Sequence, residues 1–180
     1  MKYAPFAVLA AILIAVTLPA LGSSDENTKP VTVFFLRHAE DADTGGNPDP
    51  DLTEFGAERA DALARLLSKS GVTHFYSSEY ARTQSTLRPL AQAIGTTVEI
   101  VSARKPAEQI EKLRALPPGA VAIVAGHSNT IPNLIKTLGG ELDELTERGW
   151  IEEPVHDRIF IVTLQADGDT QTVELRYGAP

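Results

Sequence analysis

Val31-Thr32-Val33-Phe34-Phe35-Leu36 runs directly into Arg37-His38. A short run of β-branched and aromatic residues reads as a buried strand. An arginine and an imidazole at its carboxyl end stand where an open α/β sheet presents ligand-binding groups. The chain that follows supplies the rest of such a sheet. Residues 39–51 are rich in Asp, Gly, Asn and Pro and read as a loop. Thr53 can cap a helix in which Ala57, Ala60, Leu63, Ala64 and Leu67 recur at helical spacing, with Gly71 as its stop. Residues 72–76 form a second strand. Residues 80–94 form a second helix, where Pro89 predicts a kink or a break, and Gly95 ends it. Residues 97–101 are a third strand, and 106–116 a short helix closed by Pro117-Pro118-Gly119.

Residues 120–125 are apolar throughout, as suits a central strand covered on both faces. A helix over 129–138 ends at Gly139-Gly140, and 141–155 are acidic and irregular. Two strands, 158–164 and 170–177, flank a turn at Asp167-Gly168-Asp169 and predict a closing hairpin. The pattern predicts a single α/β domain over 31–180: a mostly parallel central sheet, helices on both faces and an antiparallel closing hairpin.

With 180 residues the chain has room for one sizeable core. It contains no cysteine, which excludes disulfides, thiolate nucleophiles and Cys-ligated metals. Its net charge of -8 argues against nucleic acid as a partner, since that affinity comes largely from Lys and Arg on phosphates. Any local cluster of Arg and His is then informative, because an anionic ligand must overcome the global field. At the N-terminus Lys2 precedes an almost unbroken apolar run, followed by Pro19, Ala20 and Gly22. This is the pattern of a secretory signal peptide over 1–22, with 23–30 as a polar linker. The run is too short to span a bilayer, so no stable membrane insertion is expected after cleavage. The expected location is periplasmic or secreted; a retained anchor is the alternative.

Three strands deliver chemistry at their carboxyl ends. Arg37-His38 follows the first, Ser77-Ser78 with Arg82 the second, and Gly126-His127-Ser128 the fourth. Parallel strands would gather Arg37, His38, Arg82 and His127 at one edge. Any one of these alone reads as structural; together they suit a phosphate dianion, gripped by guanidinium forks. An imidazole with an ordinary pKa of about 6.5 offers an unprotonated nitrogen as nucleophile at neutral pH. The arginines oppose imidazolium and a bound dianion favours it, which leaves the net shift open. His74 and His156 lack such placement and read as structural.

These segments resemble the histidine phosphatase superfamily, the phosphoglycerate-mutase-like group. Leu36-Arg37-His38-Ala39-Glu40 is similar to its nucleophile motif, and Leu52-Thr53-Glu54-Phe55-Gly56 to its first helix start. Ser77-Ser78 with Arg82-Thr83-Gln84-Ser85-Thr86, and Val124-Ala125-Gly126-His127-Ser128, resemble two further segments in the same order. The resemblance implies a phosphoglycerate-mutase-like fold and a phosphohistidine on His38. It implies that Arg37, Arg82 and His127 hold the transferring oxygens, with no metal or cofactor. The general acid stays open between Glu108 and Glu40, each of which equally suits a solvated surface charge. Asn47 is a further candidate in the loop after the nucleophile. The short region between Arg82 and His127 leaves little chain for a lid.

The expected activity is hydrolysis of a phosphate monoester or related phospho-compound, with a small phosphorylated substrate as partner. The alternatives are a phosphate-binding module with weak or no turnover, a phosphomutase, and a phosphatase of phosphohistidine proteins. Composition leaves the oligomeric state open.

Overall fold

The computed structural model describes residues 28–42 and 46–179. The stretch read as a signal peptide, 1–22, and residues 23–27 of the linker lie outside the described residues.

In chain order the elements are β1 (Val31–Arg37), α1 (Glu54–Leu67), β2 (His74–Ser77), α2 (Ala81–Ile94), β3 (Glu99–Ile100), α3 (Pro106–Arg114), β4 (Val121–Gly126), α4 (Thr130–Thr137), β5 (Arg158–Leu164) and β6 (Thr170–Arg176). The strands form one sheet in the order β3-β2-β4-β1-β5-β6. β1, β2, β3 and β4 run parallel, while β5 pairs antiparallel with β1 and β6 antiparallel with β5. The expected α/β domain with its closing hairpin is the observed architecture.

Alternation along β1 splits the core. Phe34 and Leu36 face Leu63 and Leu67 of α1 and Leu87, Leu90 and Ala91 of α2. Val33 and Phe35 face Ile110 and Leu113 of α3 and Ile131, Leu134 and Ile135 of α4. Two helices therefore cover each face, and β1 is apolar on both sides because both are buried. Phe35 and Phe160 are fully enclosed, each contributing about 2–3 kcal/mol from buried apolar area.

Thr53 caps α1 as expected, its Oγ1 accepting from the Gly56 amide at 3.0 Å. Its own amide donates to the Glu40 carbonyl, tying the helix start to the segment after His38. A Cβ on Gly56 would run into that same carbonyl, so only glycine lets the helix approach so closely.

Of the kink or break expected at Pro89, the break does not occur. α2 continues through it without interruption. Proline removes one backbone donor, but Leu87 and Leu90 on either side are fully buried, and that packing holds the helix together. β3 is shorter than expected, two residues at an exposed sheet edge.

Candidate active site

Strand register sets the geometry. Arg37 pairs with Gly126 across β1 and β4, and Ser77 with Ala125 across β2 and β4. The His38 amide extends the ladder by donating to the Gly126 carbonyl at 2.9 Å. His38, His127 and the Ser77-Ser78 turn therefore leave neighbouring strands at one edge. They open into a cavity of about 440 Å³ lined by Arg37, His38, Asp41, Tyr80, Arg82 and His127, among others. All four residues singled out in the sequence meet there.

His38 is buried, with its Nδ1 2.8 Å from the Ala39 carbonyl. A carbonyl only accepts, so Nδ1 carries the proton in the neutral ring and Nε2 keeps its lone pair. Burial, and then Arg37, His127 and Arg82, lower its pKa from 6.5 to about 2, against the raising effect of the Ala39 bond. The shift left open by the sequence thus has a sign in the free protein: His38 is neutral at neutral pH, with a lone pair on Nε2.

His156 was not expected at the site. It lies in the segment before β5, buried, with Nδ1 2.7 Å from the His38 carbonyl and its ring 5.5 Å from that of His38. Again a carbonyl fixes the tautomer with the proton on Nδ1. The signal was topological: Leu36 registers with Ile159, so an antiparallel β5 beside β1 begins where β1 ends.

Arg37 is held from across the fold. Its NH1 donates to the carbonyls of Glu152 and Glu153, and its NH2 to the Glu153 carboxylate at 2.7 Å. Its Nε is buried without a hydrogen-bond partner. Arg82 stacks 4.6 Å from the centre of the Tyr80 ring, with Asp41 and Asp49 each 3.7 Å away. Its NH1 is likewise buried without a hydrogen-bond partner. Asp49 also accepts from the Ala81 amide at 2.7 Å, capping α2 from a distant loop.

His127 stands 5.4 Å from His38, ring to ring. Its Nε2 is 3.0 Å from Ser78 Oγ, which is 2.8 Å from Thr83 Oγ1, and that hydroxyl donates to the Tyr80 carbonyl at 2.8 Å. Thr83 spends its only proton on the carbonyl, so Ser78 donates to Thr83 and accepts from His127 Nε2. Burial, and then Arg82, lower the His127 pKa to about 4. In the free protein His127 is neutral, with its proton on Nε2.

Neither expected proton donor lines the cavity. Glu40 takes a two-pronged grip from Arg59, at 2.9 Å from Nε and 2.7 Å from NH2, and these bonds hold it below the usual carboxylate range despite desolvation. Arg59 in turn donates to the carbonyls of Tyr177 and Ala179, so Glu40 fastens the chain's end. Glu108 pairs with Lys105 at 3.3 Å on the surface. Asn47 is exposed and closes a turn on Asp49. The carboxylates at the cavity are Asp41 and Glu153; Asp41 stands 3.8 Å from His38 Nδ1. Among the described residues no group of three or more His, Asp or Glu is placed to hold a metal ion.

Residues 33–105 match the profile of the histidine phosphatase superfamily (branch 1). The probable phosphoglycerate mutase GpmB of Yersinia pestis (strain Pestoides F) is 35% identical over 71 residues, 37% of this chain and 33% of its own length. The match thus spans about a third of the length of that curated relative. Among solved structures, the protein histidine phosphatase SixA complexed with tungstate superposes with a TM-score of 0.61 at 16% identity, over 81% of this chain and 96% of that one. A mycobacterial glucosyl-3-phosphoglycerate phosphatase gives 0.60 at 15% identity, covering 82% of this chain and 98% of that one. Phosphoglycerate mutase from Plasmodium falciparum gives 0.58 at 16% identity, covering 84% and 95%. Over residues 33–105 the chain is similar to the histidine phosphatase superfamily, and its fold is that of the phosphoglycerate-mutase-like proteins.

Proposed function

We propose that the chain hydrolyses small phosphate monoesters through a phosphohistidine on His38, without a metal, after export. The observation that carries this reading is the state of His38: a neutral ring with Nδ1–H spent on Ala39, beside two arginines that each keep a buried nitrogen without a hydrogen bond. A phosphate dianion would complete Arg37 Nε and Arg82 NH1 and place phosphorus against Nε2. Nε2 forms the P–N bond as the P–O bond to the leaving group breaks. The charge on the three transferring oxygens is met by Arg37, Arg82 and a protonated His127. Asp41, a carboxyl of the cavity that stands 3.7 Å from Arg82, passes a proton from solvent to the leaving oxygen. Water next attacks phosphorus, the P–N bond breaks, and phosphate leaves.

A second reading is hydrolysis of a phosphohistidine, the substrate class named for the SixA neighbours. It is favoured by the absence of Glu40 and Glu108 from the cavity, because imidazole leaves more readily than an alkoxide.

The test is turnover of an aryl phosphate with chelator present, beside the His38→Ala variant, with acid-labile, base-stable phosphate trapped on the protein during turnover. Equal rates for both proteins would discard His38 as nucleophile, and inhibition by chelator would discard the metal-free reading.

A further inference from the structure

The phosphate cavity does not end at His127. It continues through Asn129 and Trp150, which also line a neighbouring cavity of about 410 Å³. That second cavity is lined by Lys136 and Arg148 and by no carboxylate. Among the described residues neither Lys136 nor Arg148 makes an ion pair, whereas Lys105, Lys112, Arg158 and Arg176 all do. In a chain of net charge -8 this is a local reversal of sign. Arg104, which lines the first cavity, is also without an ion pair and sits on a loop fixed where Glu79 accepts from Ser102 Oγ and the Ala103 amide.

The second cavity has a built wall. Thr146 and Trp150 close a turn through two hydrogen bonds, Thr146 amide to Trp150 carbonyl at 2.8 Å and Trp150 amide to Thr146 Oγ1 at 3.1 Å. The Ile151 amide then pins that turn to the Ser128 carbonyl at 2.9 Å, next to His127. Arg148 lies 5.6 Å over the Trp150 ring. These side chains come from α4 and the segment after it, beyond the stretch that matches the superfamily.

Resting on the monoester reading above, we propose that this second cavity is an anion subsite. It selects substrates whose leaving group carries a second anionic group, a phosphate or a carboxylate, held by Lys136 and Arg148 beside Trp150. Arg148 supplies a planar fork and Lys136 a point charge, and Trp150 gives the linker between the anions a flat apolar surface.

Trp150 is the chain's sole tryptophan, so its fluorescence reports occupancy without catalysis. The full chain is titrated with α,ω-alkane bisphosphonates, ω-phosphonocarboxylates and alkyl monophosphonates of matched length. At the chain length that spans both cavities, one or both double anions bind about tenfold more tightly than the monophosphonate, as expected for a charge-assisted contact. Which of the two shows the advantage tells phosphate from carboxylate. In the Lys136→Ala/Arg148→Ala double variant the ratio of the affinities falls toward one, with calorimetry on Trp150→Phe as a check on the probe. No advantage at any length, or an advantage that survives the double substitution, overturns the subsite. Aryl phosphate turnover tests the monoester reading separately, and its failure leaves this titration interpretable.

Discussion

His156 Nδ1 lies 2.7 Å from the main-chain carbonyl of His38, itself buried at the end of β1. The contact positions the backbone of His38 while the Ala39 carbonyl fixes its ring. Removing it orphans a buried acceptor, at about 1–3 kcal/mol. His156→Ala is expected to lower kcat roughly tenfold with KM little changed, if part of that cost falls on the His38 geometry. His156→Asn, which keeps a donor near Nδ1, is expected to restore most of the rate. Equal losses for both variants would make His156 a packing residue only.

His38→Ala removes the proposed nucleophile but none of the cationic partners proposed for phosphate. Its expected phenotype is a folded protein that binds tungstate or phosphate and turns over no aryl phosphate. Calorimetry and circular dichroism beside the assay separate this outcome from misfolding.

Glu40 and Glu108 should part company. Glu40→Gln breaks a two-pronged pair with a buried arginine and is expected to cost roughly 3 kcal/mol of stability. Glu108→Gln is expected to leave the stability and the rate on an alkyl phosphate unchanged, since its side chain meets only Lys105 at the surface. By contrast, Asp41→Asn is expected to slow alkyl phosphates far more than aryl phosphates, whose leaving groups need no proton. A matched slowing of both substrates would take Asp41 out of that role.

Acid should weaken the fold through its histidines. His127 titrates near 4 when folded and His38 near 2, both below the ordinary 6.5. The unfolded chain therefore binds more protons below about pH 6.5, and stability falls as pH drops through the window down to about 4 for His127. The Tm is expected to decline from pH 7 to pH 5, and less steeply in His127→Asn.

Phosphate binding should reverse the shift on His127, because the dianion offsets the repulsion of Arg82. Binding at pH 8, where free phosphate is already mostly the dianion, is expected to take up protons on His127, seen as a binding enthalpy that depends on the buffer's ionisation heat. A buffer-independent enthalpy would mean that His127 stays neutral in the complex.

The sheet was legible because three of the four parallel strands end in a reactive residue and the helices run up to glycines or caps. Arg37, His38, Arg82 and His127 were legible for the same reason: chain order alone put them at strand ends. His156 and Glu153 were not, since they reach the site across the antiparallel pairing of β5 with β1, which no local pattern reports. Glu40 misled because proximity in sequence to His38 says nothing of which face a side chain takes; Arg59, nineteen residues on, decides it. At Pro89 the helix is unbroken because burial of its neighbours outweighs local propensity.

The grip on Arg37 spans more than a hundred residues of chain. Synthesis therefore leaves the nucleophile's neighbour unheld until the loop before β5 has emerged, and Arg59 waits longer still for the carbonyls of Tyr177 and Ala179. A nascent or truncated chain that stops before residue 152 has His38 and His127 but neither His156 nor the clamp. Such a chain is expected to be inert, and regain of turnover on adding the missing segment in trans would make the protein a candidate for split-fragment complementation.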